Sequence, residues 1–211
     1  MATFLNDTFT GANGTALTAH TGETGATWTI QSTWSDANIQ TNRVYGSVAA
    51  VQASGVPASP DYDVLGTINI VSAANVTAGV AGRMAAAADT FYYAAIVRTS
   101  GGGGTWTVQV AKRVAGVQTT LSSTGISALT VGTDHTLRLH MVGSSISAIL
   151  DETTTFGPTT DTAITAAGRA GIIALTETST TGFHIADITA TDVKPGKIFR
   201  VNQAVNRAAY F

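Results

Sequence analysis

Apolar and polar residues alternate through most of the chain, and the alternation is cleanest over residues 134–151, DHTLRLHMVGSSISAILD. Leu137, Leu139 and Met141 alternate with Arg138, His140 and Val142. Beyond Gly143-Ser144, Ile146, Ala148 and Leu150 alternate with Ser147 and Ile149. A period of two on both sides of a short Gly-containing turn predicts an antiparallel hairpin with one buried face. The Leu/Met and Ile/Ala/Leu sets then share the core, which leaves Arg138, His140 and Ser147 on the other face.

The same reading extends along the chain. Residues 4–10 predict a first strand and 11–15 its turn, and Trp28 anchors a local hairpin in the core. A strand pair follows over 34–51 around the polar break DANIQTNR. The Pro-bearing turn GVPASPDYDV leads into a strand over 64–71. TFYYAAIV (90–97) is a near-continuous apolar run, which predicts a buried strand whose tyrosines point to different faces. Trp106, Val108 and Val110 alternate in the next strand, FGPTTDTAIT (156–165) reads as a loop, and GRAGIIALT and GFHIADITAT close the series. MAAAAD is too short for a helix on its own. Strands spaced by about 8–12 residues with Gly, Pro, Ser or Thr punctuation predict an all-β, two-sheet antiparallel sandwich.

Composition sharpens this picture. Over 211 residues, 44% are hydrophobic and only 11% charged, so disorder of the low-hydrophobicity, high-charge kind is excluded for the body. Cysteine is absent, which leaves stability to the core and the sheets. No apolar run approaches the roughly 18 residues of a membrane span, and the N-terminus lacks the features of a signal peptide. Met1 suggests a whole chain. The net charge of −2 conceals a split: residues 1–193 hold seven basic and thirteen acidic residues, whereas 194–211 hold four basic residues and no acid. Residues 1–193 are therefore expected to form the sandwich, and 194–211, opened by Lys-Pro-Gly, a C-terminal arm. Lys194, Lys197, Arg200 and Arg207 give the arm charge, and Ile198, Phe199, Tyr210 and Phe211 give it apolar anchors for docking on a partner. The acidic body disfavours nucleic acid.

Catalytic patterns are absent. There is no G-x-S-x-G, and His20, His135, His140 and His184 lack metal-ligand spacing. SGGGG is followed by no Lys-Ser/Thr. TGETGATW approaches the Asp-box of β-propeller glycosidases, but a propeller needs one box per blade and no second copy exists. Sugar recognition would use aromatic platforms beside polar groups; Trp34 and Tyr62, next to loops, are the expected exposed aromatics, with Arg138 and His140 on the outer face of the central hairpin.

NDTFTGANGTALTAHTGETGATWT, SPDYDV, GVAGRM, TFYYAAIV, TWTVQVAKRVAG, HTLRLHMVGSSISAILD, GRAGI and GFHIADITAT follow one another over about residues 4–191. In that order they resemble the concanavalin A-like (laminin G-like) jelly-roll domains of bacteriophage structural proteins. The resemblance implies two curved antiparallel sheets with adjacent first and last strands. It leads to a non-enzymatic structural protein of the virion, attached to capsid or tail proteins through the arm and assembled as a homo-oligomer. The alternative is a carbohydrate-binding module for host-surface glycans. Glycosidases of this type carry E-x-D-x-x-E, and Glu23, Glu152 and Glu177 have no Asp two residues on, so no enzyme is expected. No cofactor is expected either, except that relatives bind a structural calcium through Asp and carbonyl oxygens. Asp7 and Asp187, on the two end strands, are the residues that would supply it.

Overall fold

The computed structural model describes residues 2–46, 50–73, 75–99, 104–175 and 177–193; the arm from 194 onward, with all eight docking residues expected there, lies outside them. Fifteen strands form among the described residues. They are β1 (Thr3–Asp7), β2 (Thr29–Ile30), β3 (Asn38–Ile39), β4 (Val44–Tyr45), β5 (Ala50–Ser54), β6 (Tyr62–Ile70), β7 (Val76–Met84) and β8 (Phe91–Thr99). There follow β9 (Thr105–Val114), β10 (Val117–Ile126), β11 (Asp134–Val142), β12 (Ser145–Leu150), β13 (Thr154–Thr160), β14 (Arg169–Leu175) and β15 (Phe183–Asp192). One short 3₁₀ turn, Leu17–Ala19, interrupts them. No helix among the described residues is long and apolar enough to cross a membrane.

The strands make two sheets. An eight-stranded sheet runs β13-β12-β11-β6-β15-β4-β3, with β1 also on β15; a seven-stranded sheet runs β10-β9-β8-β7-β14-β5-β2. The first and last strands are neighbours, with Asn6 opposite Thr189 and Asp7 opposite Ile188. The chain crosses between sheets at β1–β2, β2–β3, β4–β5, β5–β6, β6–β7, β10–β11, β13–β14 and β14–β15, and those crossings make this a jelly-roll sandwich.

The central hairpin is as the alternation requires. Leu137 faces Leu150, Leu139 faces Ala148 and Met141 faces Ile146, all buried, and Gly143 opens the two-residue turn at φ 55°. Their inner face meets Val80, Tyr92, Ala94, Val108 and Ile172 of the other sheet in one core. Trp28 and Trp106 are buried, and Trp106 stacks on Phe183 with ring centres 5.2 Å apart.

A second apolar cluster lies on the opposite face of the seven-stranded sheet, where Phe91, Tyr93, Ala95, Ala81, Ala111 and Ile173 are buried. Tyr92 belongs to the inner core and Tyr93 to this outer one, so β8 is covered on both sides. That double burial is the reason its sequence is continuously apolar. The segment after β2 covers part of the cluster. Gln31 donates to the Ala85 carbonyl at 2.7 Å, and Trp34 packs against the apolar residues.

Residues 154–160 form a strand, where the sequence predicts a loop. β13 is an edge strand with one neighbour, β12. An edge tolerates Pro158 and polar threonines because its outer hydrogen-bonding groups face water, and Phe156 alone supplies the inward apolar contact.

Candidate functional site

Outward polar side chains of β6, β11 and β15, with Asp151 and Glu152 just after β12, form a hydrogen-bonded lattice on the eight-stranded sheet. Antiparallel register puts His140 opposite both Asp63 and Ser147, and Arg138 opposite both Leu65 and Ile149. Asp63 accepts from both side chains: its Oδ1 lies 2.5 Å from His140 Nδ1, and its Oδ2 lies 3.1 Å from Arg138 Nη1. Arg138 Nη2 reaches Glu152 at 2.5 Å. Arg138 and His140 stay partly open to solvent, at 28% and 34%, while Asp63 beneath them is mostly covered.

These contacts set the protonation states. The hydrogen bond to Asp63 holds the His140 imidazole above its ordinary range, and the bond to Glu152 does the same for the Arg138 guanidinium. The lattice continues along the sheet, with Thr67 donating to Asp187 at 3.0 Å and Asn69 to Asp134 at 2.6 Å. Toward β1, Thr189 donates to Asn6 at 3.0 Å. His135 Nδ1 lies 2.8 Å from Asp151. The face is thus a fixed array of donors and acceptors on rigid strands, the arrangement that polyhydroxylated ligands need for orientation.

The structure brings Arg138 and His140 together, but separates them from the two aromatics expected beside them. Tyr62 is no exposed platform. It is fully buried at the start of β6, where it shares the core parity of Val64. Its hydroxyl accepts the Arg83 amide N–H and donates to the Gly168 and Arg169 carbonyls, and burial pushes its pKa up. Trp34 is half-buried over the other sheet. It donates to Asp89 at 3.1 Å, and the Arg113 guanidinium sits 4.9 Å from its ring centre.

The calcium pair is corrected in the same way. Asp7 points into the core, where it takes three donors: the Phe9 amide and the Trp28 indole, each at 2.7 Å, and His20 Nε2 at 2.9 Å. Asp187 points outward to Thr67. The two carboxylates stand on opposite faces of the sheet and cannot share an ion. Among the described residues no three His, Asp or Glu side chains gather as metal ligands.

A second feature is concave. A cleft of about 490 Å³ opens where β1 of one sheet meets β2, β5 and the start of β14 of the other. Phe4, Thr27, Thr29, Ser54, Val56 and Arg169 line it. Its floor is bare backbone. Gly25 and Gly55 both hold positive φ, and a Cβ on Gly25 would sit 2.2 Å from the Phe4 carbonyl. Spacing along the chain gives no hint of this cleft, because its residues come from four separate segments.

No family model matches the chain, and no curated protein matches it. Solved structures match its fold. A carbohydrate-binding module, CBM66 from Bacillus subtilis, superposes with a TM-score of 0.54 at 16% identity, over 78% of this chain and 90% of that one. The exoplasmic/lumenal domain of VIP36 in its Ca²⁺/mannose-bound form gives 0.55 at 9% identity, over 82% and 84%. LamAcat from Zobellia galactanivorans gives 0.54 at 9% identity, over 90% and 97%. The fold is therefore the concanavalin A-like sandwich, one on which sites of different kinds are built.

Proposed function

We propose that this chain is a non-enzymatic carbohydrate-binding domain that recognises a host-surface glycan on the outer face of its eight-stranded sheet. The observation that carries the reading is the Asp63–Arg138–His140–Glu152 lattice: a partly exposed guanidinium and imidazole held in fixed orientation by two carboxylates. Sugar hydroxyls both donate and accept, and each class finds partners here without reorganisation of the strands. The fold is compatible, since a carbohydrate-binding module shares it. A glycan array probed with the full chain tests the reading. Binding is expected to one glycan class and to fall at least about tenfold in Arg138→Ala and His140→Ala, the range of a lost charge-assisted hydrogen bond. No signal above background, or a signal unchanged in both variants, overturns it.

A second reading places the same domain in a bacteriophage particle, as a capsid- or tail-attached homo-oligomer anchored through residues 194–211. Its support is the charge contrast between an acidic body and a basic, apolar-tipped arm. The two readings are compatible, because a virion attachment is a place from which to bind a cell-surface glycan.

A further inference from the structure

The cleft between the two sheet edges presents an arginine that no acid neutralises. Arg169 makes no ion pair among the described residues, and its one side-chain hydrogen bond runs from Nη1 to the Thr29 hydroxyl at 2.6 Å. Arg83, Lys112, Arg113 and Arg138 pair with carboxylates, and Arg98 lies over the Trp106 ring. Neither Arg98 nor Arg43 has an ion pair among the described residues, but only Arg169 lines the cleft. Arg169 instead stands beside hydroxyls and apolar groups, half-buried at the first residue of β14. The Thr29 bond engages Nη1, and a guanidinium carries a further planar donor pair in Nη2 and Nε. That fork matches a carboxylate in a bidentate way, which an ammonium cannot do.

The rest of the wall has the chemistry of a sugar site. The Phe4 ring is held edge-on against Tyr62 with ring centres 5.3 Å apart, so it is a fixed apolar surface. Val56 is 76% exposed at the rim, an exposure that a ligand would reduce. Ser54 is buried beneath the cleft, where its hydroxyl donates to the Gly25 carbonyl at 2.9 Å and fixes the wall. Gly25 and Gly55, both at positive φ, let the strand bearing Phe4 and Leu5 pack directly on the backbone there, which fixes the position of the Phe4 wall. The volume, about 490 Å³, lies within the roughly 300–1,000 Å³ of small-molecule sites.

We infer that this cleft is a binding site for a carboxylate-bearing saccharide unit, with its carboxylate on Arg169, its hydroxyls toward Thr27, and its apolar ring face against Phe4 and Val56. The site is separate from the Arg138–His140 lattice and does not depend on that face binding anything.

Titration calorimetry and amide NMR shifts of the full chain with D-glucuronate, D-glucose and inorganic sulfate test the inference. Glucuronate is expected to bind at least about tenfold tighter than either glucose or sulfate, with the largest shifts at residues 4, 25, 54–56 and 169. Arg169→Gln should weaken glucuronate at least about tenfold, and Arg43→Gln, a charge removed away from both the cleft and the lattice, should leave it unchanged. Val56→Glu, at an exposed rim position that the fold does not need, should weaken it too by placing a like charge at the mouth. Equal affinity for glucose, equal affinity for sulfate, retention in both cleft variants, or an equal loss in Arg43→Gln overturns the cleft assignment. Glucuronate that does not bind at all also overturns it, while the glycan array still decides the lattice on its own.

Discussion

Arg83 shows how much one side chain can organise. It is a fully buried arginine on a strand, with φ near 49°. Its guanidinium donates to the carbonyls of Pro60, Ile164 and Gly143 at 2.8–2.9 Å, and so ties together the turn before β6, the segment before β14 and the tip of the central hairpin. Replacing Arg83 with Met would leave three carbonyls without their donor inside the protein. The expected loss is about 3–5 kcal/mol, read as a shift in the urea midpoint. Nothing in GVAGRM announces this role beyond the presence of a charge in an apolar run.

Glu177 is the second residue that matters alone. It is buried, its Oε2 accepts the Gly46 amide at 2.9 Å, and Oε1 has no hydrogen-bond partner among the described residues. Burial pushes its carboxyl well above the ordinary range, so the native state keeps a proton that the unfolded chain releases near pH 4.3. The contribution is therefore full below about pH 4 and declines as the pH rises toward the folded pKa. Glu177→Gln mimics the protonated acid. It is expected to raise the melting temperature at pH 8 and to converge with the wild type near pH 4; parallel curves would refute the assignment.

At the scale of the element, the β11–β12 hairpin separates stability from recognition by parity alone. Leu139 faces the core and its neighbour His140 faces the lattice. Leu139→Ala should cost about 2–5 kcal/mol in denaturant unfolding, because it opens a cavity between the sheets. His140→Ala should stay within about 1 kcal/mol, since its ion pair is partly solvated. This hairpin was legible to the residue because a period of two admits only one register that buries its apolar side. β13 was not legible, because an edge strand needs few apolar residues and tolerates proline. Tyr62 was misplaced for a related reason. Its proximity to Pro60 suggested a loop, but β6 begins at that residue and assigns it the parity of Val64.

At the scale of the molecule, β15 ends at Asp192 and pairs with β6, β1 and β4 among the described residues. Deleting 194–211 is expected to leave the melting temperature of the body unchanged and to abolish incorporation into particles. Incorporation at the normal level would overturn the anchoring role.

The sequence by itself determined the all-β class, the central hairpin, the opposite burial of Tyr92 and Tyr93, and the outward placement of Arg138 and His140. Each follows from alternation, a local property that hydrophobic burial enforces on every strand. Only the tertiary structure decided which side chains meet across strands far apart in the chain. It paired Asp63 with Arg138 and His140, turned Asp7 and Asp187 to opposite faces, and stapled three segments with Arg83. It also assembled the Phe4–Arg169 cleft from two sheet edges. Those contacts depend on strand order and inter-sheet approach, which the packing of the whole chain sets and no local pattern encodes.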